Sequence, residues 1–250
     1  MVSRFFKFLL PVVLGVGLWQ ITSTLIGSNY FPALNIVLSE LFSLVRLSSF
    51  WIQISLTLIV LLASLTISYL VSAAIYFALL NISSLEEFLK PILNFLRAIP
   101  TIVIFPLLAV IMGISLKTEI LVISIGTTLK FLLFMQESKF SVSNELQSYA
   151  KVSGFNMITE YLYIRLPASI SSTIVGLRYV SSVAFGTIVA LGILVGAPGL
   201  GQGLYLAENS GDTPQVFAYV LAMGIAGILL NFIIGLLQNI LKPYSMAGRS

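Results

Sequence analysis

Apolar stretches with almost no charged residues follow one another along the whole chain, separated by single charges or short polar segments. A helix that crosses a membrane needs about 20 mainly apolar residues. The pattern therefore predicts an all-α membrane protein with six transmembrane helices. These spans are placed within residues 8–39, 47–85, 98–116, 120–136, 167–194 and 213–241.

The first two apolar stretches are longer than a single span requires. We expect span 1 to fill the first two thirds of the first stretch, followed by a loop at Asn29–Asn35. The second stretch exceeds one straight crossing, so its first turns are expected to lie along the interface. We divide the chain into residues 1–50, the first span and an outer loop, and residues 51–245, the core.

A polar segment at residues 145–167 separates the predicted spans 4 and 5. Its residues 148–167 read SYAKVSGFNMITEYLYIRLP. On a helix, one apolar face is predicted to contain Leu146, Tyr149, Ala150, Met157 and Tyr161. Gly154 weakens a continuous helix by about 1 kcal/mol relative to alanine and permits a left-handed turn. We therefore expect two short helices joined at Gly154, and Pro167 in the first turn of the next helix.

The distribution of positive charge predicts the orientation of the chain. Six spans put both termini on one side, and cytoplasmic segments of membrane proteins are rich in Lys and Arg. With the amino terminus inside, the inner segments contain Arg4, Lys7, Lys90, Arg97, Lys139, Lys151, Arg165, Lys242 and Arg249. Only Arg46 and Lys117 fall outside. The chain is predicted to be a multi-pass protein of the cell (inner) membrane with both termini and residues 145–167 in the cytoplasm.

The composition supports this class and excludes several functions. Charged residues make up 9% of the 250 residues, against about 25% in soluble domains. Without Cys or His, the chain lacks a thiolate nucleophile, a Cys metal site and the usual proton shuttle. The net charge of +4 is too scattered for nucleic-acid binding. No G-x-x-x-x-G-K-[ST] motif is present, so ATP binding by that mechanism is not expected. We assign no catalytic residue and no metal ligand.

Charged residues and prolines within the spans can have a functional or a purely structural role. Arg178 in span 5 is either a gate that attracts anions or the donor of a structural hydrogen bond, because an intramembrane charge faces protein or water. Lys130 in span 4 can snorkel to the interface. Pro100 and Pro106 with Gly113 predict a bent or interrupted third span, which is either a hinge beside the pathway or a static kink.

Small polar residues in the spans are typical of helix packing. Spans 2 and 4 contain Ser55, Thr57, Ser64, Thr66, Ser68, Ser72, Ser124, Thr127 and Thr128. Asn231 and Gln238 in span 6 are expected to hydrogen-bond between helices. The glycines at 196, 199, 201 and 203 are expected to form an outer turn.

The polar segment resembles the cytoplasmic signature loop of ABC importer permeases. That pattern is Glu-Ala-Ala, three residues, Gly, nine residues, Ile, one residue and Leu-Pro. The residues that match at the family spacing are Ala150, Gly154, Ile164, Leu166 and Pro167. Two positions depart, because Ser148 stands in place of Glu and Tyr149 in place of the first Ala.

Other blocks resemble the nitrate, taurine and aliphatic-sulfonate permease group. They are Leu96-Arg97-Ala98-Ile99-Pro100, Pro106-Leu107-Leu108 with Gly113, Gly176-Leu177-Arg178, Gly199-Leu200-Gly201 and Lys242-Pro243-Tyr244. The resemblance covers roughly residues 50–245 and implies a type I ABC importer permease bundle.

What the resemblance implies about the site and its partners can be stated residue by residue. The coupling helix that contacts the ATP-hydrolysing subunit would use Ser148, Tyr149, Ala150, Lys151, Gly154, Phe155, Ile164, Leu166 and Pro167. Pathway or gate residues would be Arg97, Pro100, Pro106 and Arg178. The expected partners are a second copy of the permease, a pair of ATP-binding subunits carrying ATP and Mg²⁺, an extracytoplasmic binding protein and membrane lipid.

The cargo and the function class retain alternatives. The resemblance implies a small anion such as a sulfonate, taurine or nitrate, with a thiamine-precursor pyrimidine as the alternative within the class. An ion-coupled secondary transporter usually needs carboxylates at midplane, and we place none deep in a span. An intramembrane enzyme would lack His, Cys and paired buried carboxylates, while a scaffold protein stays compatible with the composition.

Overall fold

Helices are the only regular elements in residues 2–137, 148–150 and 152–246, which the computed structural model describes. The helices are α1 (Val2–Ile26), α2 (Leu34–Arg46), α3 (Ser48–Asn81), α4 (Ser83–Ala98), α5 (Thr101–Met112), α6 (Leu116–Glu137), α7 (Met157–Glu160), α8 (Leu166–Val195), α9 (Leu200–Asn209) and α10 (Thr213–Met246). A π-helical turn, Tyr161–Arg165, joins α7 to α8. The predicted all-α class is confirmed.

Four helical stretches in the described residues, built on α3, α6, α8 and α10, are long and apolar enough to cross a membrane. Helices α4 and α5 meet at 90° and add a fifth crossing only if they form one bent span. With 12 residues, α5 is about 18 Å long, less than the roughly 30 Å of the hydrocarbon core. The apolar part described for α1 covers Val13–Ile26. Six spans and two cytoplasmic termini therefore stay predictions.

Several predicted boundaries differ from the structure. Leu34 and Asn35 belong to α2 and not to the predicted loop, because an amphipathic helix begins directly after Ala33. Helix α3 is one continuous helix of 34 residues, so its first turns do not form a separate interfacial element. The predicted third span is interrupted, but the break lies at Ile99 and Pro100, while Pro106 is inside α5.

A seam of serine hydroxyls joins α3 to α6 in the core. Three serines, each one helical turn from the next, donate to carbonyl oxygens that are also one turn apart. The pairs are Ser64 with Ile120 (3.3 Å), Ser68 with Ser124 (3.1 Å) and Ser72 with Thr128 (2.9 Å). All three serines are fully buried. Small side chains let the two backbones approach closely, which confirms the predicted packing role.

Helix α9 folds back on α8 at the opposite end of the bundle from residues 157–165. Gly196 (φ +67°) and Gly199 (φ +141°) form the predicted turn. Gly201 is not part of that turn but lies in α9. There the backbones of α8 and α9 are so close that a Cβ added to Gly192 would lie 2.6 Å from the Cα of Gly201. The amide of Leu200, the first residue of α9, donates to Thr57 Oγ1 at 2.9 Å. This hydrogen bond connects the start of α9 to α3.

Candidate functional site

The predicted turn at Gly154 is present and has the geometry of a Schellman helix end. Residues 148–150 and 152 are helical, and Gly154 has a φ of +69°. The Phe155 amide donates to the Ala150 carbonyl at 3.0 Å, which is the six-residue bond of this motif. The rings of Tyr149 and Phe155 meet edge to face with centroids 6.2 Å apart, so an apolar contact closes the turn.

The chain then builds a second short helix that leads directly into α8. Asn156 caps α7, because its Oδ1 accepts from the Thr159 amide at 2.8 Å. Arg165 and Glu160 form an ion pair at 3.0 Å across the π-helical turn. Pro167 lies in the first turn of α8, as predicted, where its missing N–H removes no helical hydrogen bond.

Tyr161 anchors this segment to the bundle. Its hydroxyl donates to the Ala73 carbonyl of α3 at 2.6 Å, and its ring lies 4.9 Å from that of Phe77 and 6.2 Å from that of Tyr76. Burial, with a smaller contribution from two neighbouring tyrosines, raises the pKa of Tyr161 to about 12. The hydroxyl therefore stays protonated and can donate at any physiological pH.

The predicted single apolar face of this segment is wrong. Ala150 and Tyr161 are 1% and 8% exposed, whereas Tyr149 and Met157 are 61% and 63% exposed. The left-handed residue Gly154 ends the helical phase between Ala150 and Met157, and in each helical piece only one of the two residues packs against the bundle. Leu146 and Lys151, together with the rest of residues 145–147, lie outside the described residues.

An exposed apolar surface results on both sides of the turn, and we call it the segment surface. Its members are Tyr149, Val152, Met157, Ile158, Leu162 and Tyr163. Val152 beside the turn is 90% exposed. Of the other residues assigned to coupling, Ser148 and Pro167 are exposed and Phe155, Ile164 and Leu166 are partly buried. Large exposed apolar side chains clustered along one segment indicate a protein or membrane contact.

A second candidate feature is a cavity of about 210 Å³ beneath the break between α4 and α5, which we call the bend cavity. Arg97, Lys130 and Tyr179 line it, together with aliphatic side chains and Phe134. Arg97 donates to Gln136 Oε1 at 3.0 Å and to Asn94 Oδ1 at 3.3 Å. Lys130 Nζ donates to the Gly126 carbonyl at 3.1 Å.

Only one of the predicted pathway residues lines this cavity. Arg97 does, while Pro100 and Pro106 are exposed and are not part of its wall. Arg178 is also exposed, and its Nε donates to Asn231 Oδ1 at 3.3 Å. The structural-hydrogen-bond interpretation of Arg178 is therefore observed. Gln238 likewise donates to the Ile174 carbonyl at 2.6 Å, so the two predicted amides, Asn231 and Gln238, both bond to α8 as expected.

Two ionisable residues of α6, Lys130 and Glu119, were not recognised from the sequence as candidates for the site. Lys130 was interpreted as a snorkelling side chain, although it lies at the bend cavity beside Gly126. Glu119 was placed before span 4, but it belongs to the first turn of α6 and is fully buried. Neither of its carboxylate oxygens has a hydrogen-bond partner among the described residues. Glu119 and Lys130 share a helical repeat with residues 123 and 126. This spacing is the signal that could have placed both side chains on one face of α6.

Comparisons with known proteins identify what this arrangement resembles. A family described as "Binding-protein-dependent transport system inner membrane component" matches residues 70–244. The chain is 28% identical over 161 residues to the riboflavin transport system permease protein RibX of Chloroflexus aurantiacus, covering 64% of this chain and 60% of that protein. It is 21% identical over 249 residues to the nitrate import permease protein NrtB of Synechococcus elongatus, covering 94% and 88%.

The fold also matches a solved structure. The inward-facing MetNI methionine ABC transporter superposes with a TM-score of 0.63 at 18% identity, covering 76% of this chain and 93% of the matched chain. This likeness concerns the fold alone. The chain spans about three fifths of the length of several curated relatives that it matches, 59% of one and 60% of another.

Proposed function

Because this chain belongs to the family of binding-protein-dependent transport system inner membrane components and is an ABC importer permease, we propose that residues 148–167 dock it to a separate ATP-hydrolysing subunit. In this proposal the subunit drives import of a small anion. Two copies of the permease form the path, and an extracytoplasmic protein delivers the solute. ATP and Mg²⁺ bind to the partner, and this chain binds no cofactor.

The geometry of the Gly154 turn carries this proposal. The turn is held by backbone hydrogen bonds, and it presents Val152 and Met157 to solvent at one end of the bundle. A rigid element with exposed apolar side chains suits insertion into a groove of a soluble partner. The spacing of Gly154, Ile164 and Pro167 is that of the loop that performs this contact in importer permeases.

A path for mechanical coupling follows from the contacts of Tyr161. Closure of the ATP-hydrolysing subunits would displace the segment surface, and Tyr161 would transfer that displacement to α3 through Ala73. The serine seam then connects α3 to α6, which lines the bend cavity. A shift of one packed helix against another is an established way to alternate between two states.

An anion is the cargo best supported by this chain. One relative is named as a nitrate import permease and another as a putative aliphatic sulfonates transport permease, at 21% and 24% identity. The bend cavity presents Arg97 and Lys130 in the same protein. The two cations and these two names support a small anion, whereas relatives at 28% and 27% identity are named for the transport of riboflavin and ergothioneine.

Reconstitution tests the docking proposal. The chain is co-expressed with its candidate ATP-hydrolysing subunit, and co-purification, ATP hydrolysis and ATP-driven uptake are measured in proteoliposomes. Val152→Asp should reduce complex formation at least about tenfold, because it places a charge at the centre of an apolar contact. Val152→Thr, which keeps the side-chain shape, is the matched control. Normal assembly and uptake by Val152→Asp would refute the docking role, and uptake on an ion gradient without the ATPase would refute the class of transport.

A further inference from the structure

We propose that the bend cavity is a binding site for a small monovalent oxyanion, with Arg97 and Lys130 as its two cationic ligands. The idea that the transported solute occupies this site rests on the proposed function. The idea that the site binds an anion rests only on the geometry of the cavity.

The break between α4 and α5 creates the cavity and positions both cations. Helix α4 ends at Ala98 and α5 begins at Thr101 at 90° to it, so Arg97 lies in the last turn before the break. Thr101 packs against Gly126 of α6 so closely that a Cβ at Gly126 would overlap its side chain. Lys130 follows Gly126 by one helical turn and therefore lies on the same side of α6.

The electrostatics of the cavity favour an anion. None of the described residues that line it is acidic. Within the described residues, Arg97 Nε is buried without a hydrogen-bond partner, while the other nitrogens of its guanidinium are held by two amide oxygens. The Lys130 ammonium uses one of its three donors on the Gly126 carbonyl. Two cations therefore border one space whose lining among the described residues has no carboxylate, and Arg97 also borders a neighbouring pocket that contains Glu86 and Glu137.

The size and the walls of the cavity restrict the class of ligand. The cavity of about 210 Å³ is partly open, and it has room for a small anion beside the two cations. Ile104, Leu129 and Phe134 supply apolar walls beside the cations. The fitting ligand is a compact oxyanion with a short apolar body, such as a small sulfonate.

The same chemistry is also found in the phosphate group of an anionic lipid. Cations within membrane proteins face protein or a water-filled cavity because exposure to hydrocarbon is costly. A headgroup entering between the helices would satisfy Arg97 and Lys130 as well as a solute would. The experiment must therefore separate a free anion from a lipid headgroup.

Trifluoromethanesulfonate is a suitable probe because it combines one negative charge with a small apolar group that ¹⁹F NMR detects. The full chain is placed in nanodiscs of zwitterionic phosphatidylcholine, and broadening of the ¹⁹F line is measured. Lys130→Met and Arg97→Gln should each reduce the broadening about tenfold, because charge-assisted hydrogen bonds are the strong ones. Lys117→Met makes the same substitution at the exposed start of α6 and should leave it unchanged. Neutral trifluoroacetamide should not broaden.

The alternative outcomes decide against the proposal in separate ways. Equal broadening in wild type, Lys130→Met and Arg97→Gln overturns the site, and Lys130→Arg, which keeps the charge, should retain binding in a protein of native fold. If phosphatidylglycerol in the nanodisc abolishes the broadening, a lipid headgroup is the ligand and the solute station is overturned. If the anion binds but the assembled complex shows no ATP-driven uptake, only the proposed function is overturned. If uptake occurs but anion binding is unaffected by Lys130→Met and Arg97→Gln, only the site is overturned.

Discussion

The hydroxyl of Tyr161 donates a hydrogen bond of 2.6 Å to the backbone carbonyl of Ala73, 88 residues earlier in the chain. This bond joins the segment between α6 and α8 to the end of α3. The ring of Phe77, one turn further along α3, packs edge to face against the same tyrosine. The contact is thus polar and apolar at once, and we expect the segment and α3 to move together.

Replacing Tyr161 with Phe should weaken that contact without unfolding the protein. The ring contacts stay, and the lost hydrogen bond costs about 1 kcal/mol. We expect ATP hydrolysis by the assembled complex to persist while uptake per ATP falls a few-fold. Tyr30→Phe removes a hydroxyl from an exposed ring outside this segment and serves as the control. A normal uptake-to-hydrolysis ratio in Tyr161→Phe would show that the bond does not transmit force.

The left-handed residue Gly154 should be sensitive to any side chain that strains its backbone. Its φ is +69°, and a Cβ there meets no neighbouring atom, so the cost of Gly154→Ala is conformational and about 1–2 kcal/mol. Complex formation with the ATP-hydrolysing subunit should weaken accordingly in a co-purification assay. Gly154→Asn should be milder, because asparagine is accepted at this position of a helix end. Gly186→Ala, in open space within α8, is the control, and equal loss there would argue against a local effect.

The spacing of a few residues was sufficient to predict the turn at Gly154 and the start of α8 near Pro167. Both follow from local backbone chemistry, since glycine favours a left-handed helix end and proline suits a first turn. The serine seam was likewise predictable as packing, although its register was not. Which carbonyl each serine meets depends on how α3 and α6 dock, and no local pattern contains that information.

The failures of the sequence reasoning lie where tertiary structure changes the helical phase or the environment. Tyr161 and Tyr149 were assigned to one face, but the left-handed break at Gly154 lies between them. Glu119 fell just outside span 4, which was placed within residues 120–136. Glu119 is fully buried in the bundle, and although its spacing with residues 123, 126 and 130 indicates a shared helix face, burial by elements distant in sequence is not contained in that spacing.

The central serine of the seam offers a test of packing in the core. Ser68→Ala removes hydrogen bonds worth on average about 0.6 kcal/mol each in membrane proteins, so we expect a small loss of stability. Ser68→Leu adds volume between two close backbones and should destabilise by about 1–3 kcal/mol or more. Thermal unfolding in detergent measures both. Ser55→Leu on the exposed side of α3 should have little effect, and similar losses at both positions would contradict a close seam.

Glu119 leads to a prediction in the opposite direction, a gain of stability on mutation. Its carboxyl group is fully buried and without a hydrogen-bond partner in the described part of the chain, and such a group costs about 1–3 kcal/mol. Glu119→Met keeps a similar length and removes the polar atoms, so the midpoint of thermal unfolding should rise. Glu119→Gln keeps an unpartnered polar group and should change the midpoint little. A lower midpoint for Glu119→Met would mean that the carboxyl has a partner in the assembled transporter. A raised midpoint combined with lost uptake would mean that the protein retains this costly group for transport.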